Sequence, residues 1–310
     1  MEHRYSLGID VGSISTKGVI LDEAGLVQGS AYLQTEGNPL DSVKRLLDVL
    51  RQETSGDVEI YAVGTTGSAR RLIGAMVGAD CVKNEITAHA AGTLSRHPDV
   101  QTILEIGGQD AKMILIREGV VTDYAMNTLC AAGTGAFLSS QAKRLGIPME
   151  EMGEVALRSK TPARLAARCT VFAESDLIHK AQVGHSKEDL VAGLCHAVAA
   201  NYLGNVGKGK RILAPVIFQG GVSRNGGVVA AFEKELGENV LTNTEGPLMG
   251  AIGVAILARE ISVRESPFGF EAADCEYRTR TAICDACPNQ CEIMSFYRDG
   301  ALLDAWGGRC

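Results

Sequence analysis

The sequence predicts an α/β protein that contains two similar domains followed by a small cysteine-rich tail. The main observation is an internal repeat, in which residues 6–22 (SLGIDVGSISTKGVILD) align with residues 101–117 (QTILEIGGQDAKMILIR). Each copy reads as an apolar strand, a polar turn with glycine and a second apolar strand, which is the pattern of a β-hairpin. The aligned pairs are Asp10 with Glu105, Gly12 with Gly107, and Lys17 with Lys112. Chance similarity would rarely align the acid, the glycine and the lysine together, so we interpret the repeat as a duplication.

The segments after each hairpin alternate between helix and strand patterns. Between the copies, residues 40–51 predict an amphipathic helix and residues 58–63 a strand. After the second copy, the predicted elements are helices over 132–145, 171–183 and 187–204, a buried strand over 211–218 and a buried helix over 247–258. We therefore expect a first domain over residues 1–96, a second over 97–258 and a tail over 259–310, which packs partly on the first domain.

The composition excludes several classes of protein. The chain of 310 residues has a formal net charge of −7, whereas nucleic-acid-binding domains normally present a basic face. No apolar run reaches the roughly 18 residues of a membrane span, and the N-terminus lacks the apolar core of a signal peptide, so we expect a cytoplasmic protein. Nine cysteines, an odd number, fit a disulfide framework poorly and favour metal or cluster ligation.

Both hairpin turns have the composition of a phosphate site. Backbone N–H groups can point at an anion where glycine and small residues follow a strand, as in residues 10–13 and 107–110. Asp10 and Glu105 could hold Mg²⁺ through water, because this ion favours few carboxylates together with phosphates. Residues 220–223, after a buried strand, would give a third close backbone approach, this one to a nucleoside.

Another glycine-rich stretch, GNVGKGKR over residues 204–211, nearly matches a P-loop. It fails the motif because Arg211 replaces the required Ser or Thr, and because the stretch follows a helix instead of a strand. We interpret it as the basic end of a helix, where cations suit the helix dipole.

These pieces resemble the actin, sugar kinase and heat-shock chaperone ATPase superfamily, which has two duplicated ribonuclease-H-like domains with ATP in the cleft between them. The resemblance implies phosphate motifs over residues 10–17 and 105–112, an adenosine motif over 218–225 and hinge helices over 84–92 and 248–255. The implied catalytic residues are Asp10, Glu105 and Asp110. The implied ATP contacts are Gly12, Ser13, Ser15, Thr16, Lys17, Gly107, Gly108, Gln109, Lys112, Gly133, Gly135, Gly220, Gly221 and Val222. The superfamily's second phosphate motif usually begins with Asp, so Glu105 departs from the pattern.

Two cysteines lie in similar surroundings. Cys130, in NTLCAAGTG, and Cys169, in ARCTVF, each come just before a predicted helix, whose N-terminus stabilises a thiolate. Fe–S clusters usually need four thiolates, so two protomers related by a two-fold axis would complete the set. On spacing alone, the alternative that both are small buried hydrophobic residues is favoured. Cys81 and Cys195, in apolar surroundings, are predicted to be core residues.

The strings EIGGQDAK, NTLCAAGTGAFL and RCTVFAESDLI together resemble the activators of 2-hydroxyacyl-CoA dehydratases and the ATP-binding subunits of benzoyl-CoA reductases, the BadF/BadG/BcrA/BcrD-type ATPases. This resemblance covers roughly residues 4–260. It favours cluster ligation by Cys130 and Cys169 over the alternative that both are small buried hydrophobic residues. It implies a homodimer whose subunits bind ATP or ADP with Mg²⁺, and share one 4Fe-4S cluster through Cys130 and Cys169. It also implies that ATP hydrolysis drives a low-potential electron from a ferredoxin or flavodoxin to a dehydratase or reductase component.

The tail carries four cysteines at the spacing of a metal site, namely Cys284, Cys287, Cys291 and Cys310. Structural zinc, a second Fe–S cluster and a tail without metal all remain open.

Two other functions remain open for the whole chain. One is a phosphotransferase such as an N-acetylhexosamine kinase, with Asp110 or Glu85 as its base, which would leave the Cys130 and Cys169 pair unexplained. The other is a nucleotide-dependent scaffold that has no cluster.

Overall fold

The structure is a computed structural model that describes residues 4–54, 58–127, 130–262 and 266–310. The chain folds into two compact units. The first contains the described residues up to Gly92 together with those from Gly250 onwards, and the second contains Thr93–Met249. Within the described ranges, every helix is too short or too polar to span a bilayer.

The first unit is built on a five-stranded sheet with the order β3-β2-β1-β4-β5. Its strands are β1 (Tyr5–Val11), β2 (Ser15–Leu21), β3 (Val27–Gln34), β4 (Ile60–Gly67) and β5 (Cys81–Val82). The helices between them are α1 (Pro39–Glu53) and α2 (Arg70–Val77), and α3 (Glu85–Arg96) follows β5. The first three strands form an antiparallel meander, and β4 and β5 continue the sheet in parallel with β1.

Helix α1 illustrates how the local sequence forms an element. Asn38 caps it by accepting a hydrogen bond from the N–H of Asp41, and Pro39 occupies the first turn, where no N–H is needed. The predicted apolar face is fully buried and consists of Val43, Leu46, Leu47 and Leu50.

The second unit repeats the topology of the first. Its sheet has the order β8-β7-β6-β9-β10, again an antiparallel meander of three strands followed by two parallel strands. The strands are β6 (Thr102–Ile106), β7 (Ala111–Arg117), β8 (Val120–Asn127), β9 (Val216–Gln219) and β10 (Val240–Thr242). The helices are α4 (Gly135–Leu145), α5 (Met152–Leu157), α6 (Thr170–Gln182), α7 (Lys187–Asn205) and α8 (Gly226–Leu236). The predicted α/β class and the duplication are confirmed.

Two predicted elements differ at their ends. The strand predicted over residues 211–218 begins only at Val216, because Pro215 has no N–H with which to join the ladder. The helix predicted over 132–145 is divided into a 3₁₀ turn (Ala131–Gly133) and α4, because Thr134 between them has an extended backbone.

Helix α9 (Met249–Ile261) packs on the sheet of the first unit. Backbone oxygen atoms of Ala251 and Val254 lie 1.9 and 2.2 Å from the positions that a Cβ would take at Gly8 of β1 and Gly64 of β4. This close approach is possible because glycine carries no side chain. The structure therefore assigns residues 250–258 to the first unit, whereas the sequence boundaries placed them in the second domain.

The tail forms a three-stranded antiparallel sheet of β11 (Tyr277–Ile283), β12 (Glu292–Arg298) and β13 (Ala301–Trp306). It packs on the first unit, because the Tyr277 hydroxyl donates to the Met76 carbonyl at 3.4 Å and the Lys44 ammonium donates to the Cys275 carbonyl at 2.5 Å. Of the residues in these three strands, Phe296 alone is fully buried. The tail sheet therefore has little hydrophobic core of its own.

Candidate phosphate and thiolate sites

The first hairpin turn places a buried acid beside a lysine. Asp10 lies opposite Lys17 across β1 and β2, and the Lys17 Nζ donates to Asp10 Oδ2 at 3.2 Å. The turn is closed by the N–H of Gly12, which donates to the Ser15 carbonyl at 3.0 Å, while Ser13 is exposed. An exposed turn of small residues at the end of a strand can accept a phosphate, and phosphate binding at this turn stays a prediction.

Thr16 supports this turn from beneath. Its hydroxyl is hydrogen-bonded to Thr35 Oγ1 at 3.0 Å and to Ser42 Oγ at 2.8 Å, and all three side chains are buried. The Thr35 hydroxyl also bonds the carbonyl of Gly12 at 2.8 Å. The geometry thus gives Thr16 a structural role, and its contact with ATP stays a prediction.

Two residues beside Asp10 were missed from the sequence. A Cβ at Gly250 would lie 2.9 Å from Asp10 Oδ2 and 3.2 Å from Nε2 of His89, which is buried in α3. The start of α9 therefore lies over the Asp10 carboxylate. Any side chain at position 250 would clash with that carboxylate, so glycine is needed there. The glycine-rich string MGAIG at the start of α9 was the available signal.

The second hairpin repeats the arrangement with one more acid. Glu105 lies opposite Lys112, whose Nζ donates to Glu105 Oε2 at 3.1 Å and to Asp110 Oδ1 at 2.7 Å. Lys112 and Glu105 are buried, whereas the Asp110 side chain is 30% exposed. The structure therefore brings together the three charged residues predicted for the second phosphate motif.

Helix α4 begins directly on this second turn. The N–H groups of Gly135 and Ala136 donate to the carbonyls of Gly107 and Gly108 at 2.9 and 2.8 Å. A Cβ at Gly135 would lie 2.9 Å from the Gly107 oxygen, so glycine permits the approach. Because its N–H is already paired, Gly135 has a packing role here, and its contact with ATP stays a prediction.

The predicted adenosine motif also lies against Glu105. Gly220 has φ +86°, and a Cβ there would lie 2.6 Å from Glu105 Oε1. The Ser223 hydroxyl donates to the Gly220 carbonyl at 2.8 Å, and the Asn225 side chain caps α8. Glycine is required at position 220 for both its backbone conformation and this close contact.

Cys130 and Cys169 occupy the cap positions of a 3₁₀ turn and of α6. Both are free and half-buried. Asn127 holds Cys130 on both sides: its Oδ1 accepts from the Cys130 N–H at 3.1 Å, and its Nδ2 donates to the Cys130 carbonyl at 2.9 Å. Sequence reasoning missed Asn127, for which an Asn at the end of an exposed strand gave only a weak signal.

Two other cysteines, Cys81 and Cys195, lie in the core. Cys81 and Cys195 are each 1% exposed, which confirms their prediction as core residues. Burial raises the pKa of the Cys195 thiol to about 12. A thiol held neutral in this way is a poor metal ligand at neutral pH.

The tail cysteines lie around one end of the β11–β13 sheet. The N–H of Cys284 donates to the Cys291 carbonyl at 2.8 Å, so these two residues extend the hairpin of β11 and β12. Cys287 lies between them in the chain, and Cys310 follows β13. In the part of the chain that the structure describes, no three His, Cys, Asp or Glu side chains are grouped as metal ligands. A metal at these four cysteines therefore stays a prediction.

The rejected P-loop stretch begins with the last two residues of α7, Gly204 and Asn205. Lys210, one of the basic residues of this stretch, forms an ion pair with Asp123 Oδ2 at 2.7 Å.

A duplicated five-stranded sheet with an acid, a glycine turn and a lysine at the same place in each copy is the arrangement that the resemblance to the actin-like ATPases implied. The sequence matches the BadF/BadG/BcrA/BcrD ATPase family over residues 7–258, and the chain belongs to that family. The tail lies beyond the matched region.

The relatives agree with this assignment. The activator of lactoyl-CoA dehydratase from Anaerotignum propionicum is 35% identical over 264 residues, which are 84% of this chain and 100% of the relative. The crystal structure of (R)-2-hydroxyglutaryl-CoA dehydratase component A from Acidaminococcus fermentans has a TM-score of 0.78 and 31% identity, and the match covers 84% of this chain and 99% of that one. The activator of 2-hydroxyisocaproyl-CoA dehydratase from Clostridium difficile, with bound ADPNP, has a TM-score of 0.76 and 32% identity, with 87% and 96% covered.

Proposed function

We propose that this chain hydrolyses ATP to activate a 2-hydroxyacyl-CoA dehydratase or a related reductase, as a homodimer that shares one 4Fe-4S cluster. The observation that carries the proposal is the position of Cys130 and Cys169. Both are free, half-buried cysteines, at the starts of a 3₁₀ turn and of α6, and both lie in the unit that contains the Glu105 hairpin. The relatives named as dehydratase activators support the same role.

The two thiols fit half of a cluster site. One chain offers two soft thiolate ligands to a centre that usually takes four, and a two-fold axis would repeat the pair. When bound, the cluster would supply one-electron chemistry at low potential. In this chain Asn127 holds the backbone of Cys130, and the two cysteines cap a 3₁₀ turn and α6. A ferredoxin or flavodoxin would donate the electron, and a dehydratase or reductase component would accept it.

The two hairpins are proposed to act on phosphate and Mg²⁺ in the same way, and the second has one further acid. In each unit the turn would supply backbone N–H groups for phosphate, and the acid of that hairpin, Asp10 or Glu105, would hold Mg²⁺ through water. The paired lysines keep both carboxylates ordered before the ion binds. We assign Asp110 to the attacking water, because its carboxylate is the more exposed of the two acids that Lys112 contacts.

Asp10→Asn is expected to slow ATP hydrolysis about 10- to 100-fold, the usual cost of losing a group that orients a metal through its outer shell. The amide keeps the size of the side chain but removes the charge that holds Mg²⁺. Steady-state phosphate release measures the rate, and Asp48→Asn on the half-exposed side of α1 is the matched control. A folded Asp10→Asn protein with the wild-type rate would contradict the assignment.

The function as a whole is tested by electron transfer. Protein purified without oxygen and reduced with dithionite is mixed with ATP and a 2-hydroxyacyl-CoA dehydratase component, and reduction of that component is followed by EPR. We expect reduction with ATP and none with ADP. A colourless protein that consumes ATP while phosphorylating N-acetylhexosamines would establish the kinase alternative instead.

For the tail we propose a tetrathiolate metal site at Cys284, Cys287, Cys291 and Cys310, with zinc and iron both open. A small sheet with one fully buried side chain gains most from such a cross-link. Metal analysis of anaerobic protein should find metal beyond the iron bound at Cys130 and Cys169. Cys284→Ser should lose only that additional metal. Wild-type protein with no metal besides the iron at Cys130 and Cys169 would refute the tail site.

A further inference from the structure

Two adjacent buried polar residues of α7, Asn201 and Tyr202, have no part in the proposed mechanism so far. They are 3% and 1% exposed. The Tyr202 hydroxyl donates to the carbonyl of Lys112 at 2.5 Å, and the Asn201 Nδ2 donates to the carbonyl of Ala167 at 2.5 Å. One residue therefore contacts the second phosphate hairpin, and its neighbour contacts the loop that leads into Cys169.

The same two residues border the Cys130 segment. A Cβ at Gly133, in the 3₁₀ turn that Cys130 caps, would lie 3.0 Å from Asn201 Oδ1 and 3.5 Å from the backbone nitrogen of Tyr202. Consecutive residues of one helix thus meet the phosphate hairpin and both cysteine segments. A single rigid helix that contacts all three is the kind of element through which a displacement can pass.

We propose that Asn201 and Tyr202 are positioning residues that couple the nucleotide state of the second phosphate hairpin to the Cys130 and Cys169 segments. The inference rests on the proposed function. Gain or loss of a phosphate at the turn displaces β7, and the hydrogen bond to the Lys112 carbonyl carries that displacement into α7. Asn201 follows as part of the same helix and moves the Ala167 loop. The Tyr202 bond is buried, so no water takes the place of the hydroxyl if that bond breaks. The Asn201 bond is partly buried, and the Asn201 side chain also packs against Gly133.

Hydrogen–deuterium exchange with ADPNP and with ADP tests the coupling without requiring a loaded cluster. In the wild type, we expect exchange in residues 105–112 and 166–176 to differ about threefold between the two nucleotides, as for local opening events of modest free energy. Tyr202→Phe deletes only the hydroxyl, and should keep the difference at 105–112 while losing at least about half of it at 166–176. Asn201→Ser should do the same, and Tyr124→Phe, whose ring is exposed on β8, should change neither.

Two results would overturn the inference. The first is a full nucleotide difference at residues 166–176 in both Tyr202→Phe and Asn201→Ser. The second is a wild type that responds at 105–112 but never at 166–176. That result would show that the nucleotide binds but that the two segments are not coupled. A wild type that responds at neither segment would count against the proposed function as well. Circular dichroism and the KM for ATP show whether each variant is folded and binds nucleotide normally.

Discussion

Protein purified without oxygen is expected to contain about two irons per chain at the Cys130 and Cys169 pair, and Cys130→Ser is expected to contain almost none there. The reason is the ligand count: one chain offers two thiols at these helix starts, so a four-iron cluster needs two chains. A serine hydroxyl is a harder and far weaker ligand for iron than a thiolate. Losing one ligand per chain removes two of the four ligands from the shared site.

The measurement is made in the Cys284→Ser background, so that metal in the tail does not add to the count. Iron is determined by mass spectrometry, and the mass in solution by light scattering. Cys275→Ser, another half-buried free thiol, is the control and should retain all the iron. We also expect the loaded protein to be a dimer. An iron-free monomer that is folded and hydrolyses ATP would refute the shared cluster.

The parts of this molecule that the sequence predicted are those formed by neighbours in the chain. Asp10 and Lys17 face each other across a single hairpin, and so do Glu105 and Lys112, so the repeat alone located both acid–lysine pairs. The helical face of α1 follows equally from residues three and four apart. Such local patterns need no knowledge of the rest of the fold.

The missed parts depend on distant segments that meet only after folding. Tyr202 is 90 residues from Lys112 and Asn201 is 34 residues from Ala167, and neither pair has a motif that links it. The string AANYLGN in a buried helix did offer a signal, since buried polar groups need partners, but it did not identify them. The position of α9 was equally hidden, because an apolar helix fits either sheet by composition. Only the backbone contacts at Gly8 and Gly64 decide between them.

Gly253→Ala is expected to destabilise the first unit by about 3 kcal/mol, the upper part of the usual range for overpacking. A Cβ at Gly253 of α9 would lie 1.7 Å from the carbonyl oxygen of Ala88 and 2.7 Å from the backbone nitrogen of Gly92, both in α3. Both neighbours are backbone atoms, so no side chain can rotate away, and the two helices must separate. Urea unfolding followed through Trp306, the single tryptophan and a residue of the first unit, measures the effect.

Gly204→Ala is the matched control, because Gly204 is an exposed residue of α7 with open space around its Cβ position. Alanine there should stabilise the helix by about 0.5 kcal/mol, the usual gain over glycine, and should leave the Trp306 transition unchanged. If Gly253→Ala unfolds at the same urea concentration as the wild type, the two helices are not in contact through their backbones.

Helices α3 and α9 include the segments that the family resemblance assigns to the hinge, so their separation should also slow ATP hydrolysis in protein that is still folded. A variant that lost stability while keeping its full hydrolysis rate would show that this contact supports the fold and not the motion.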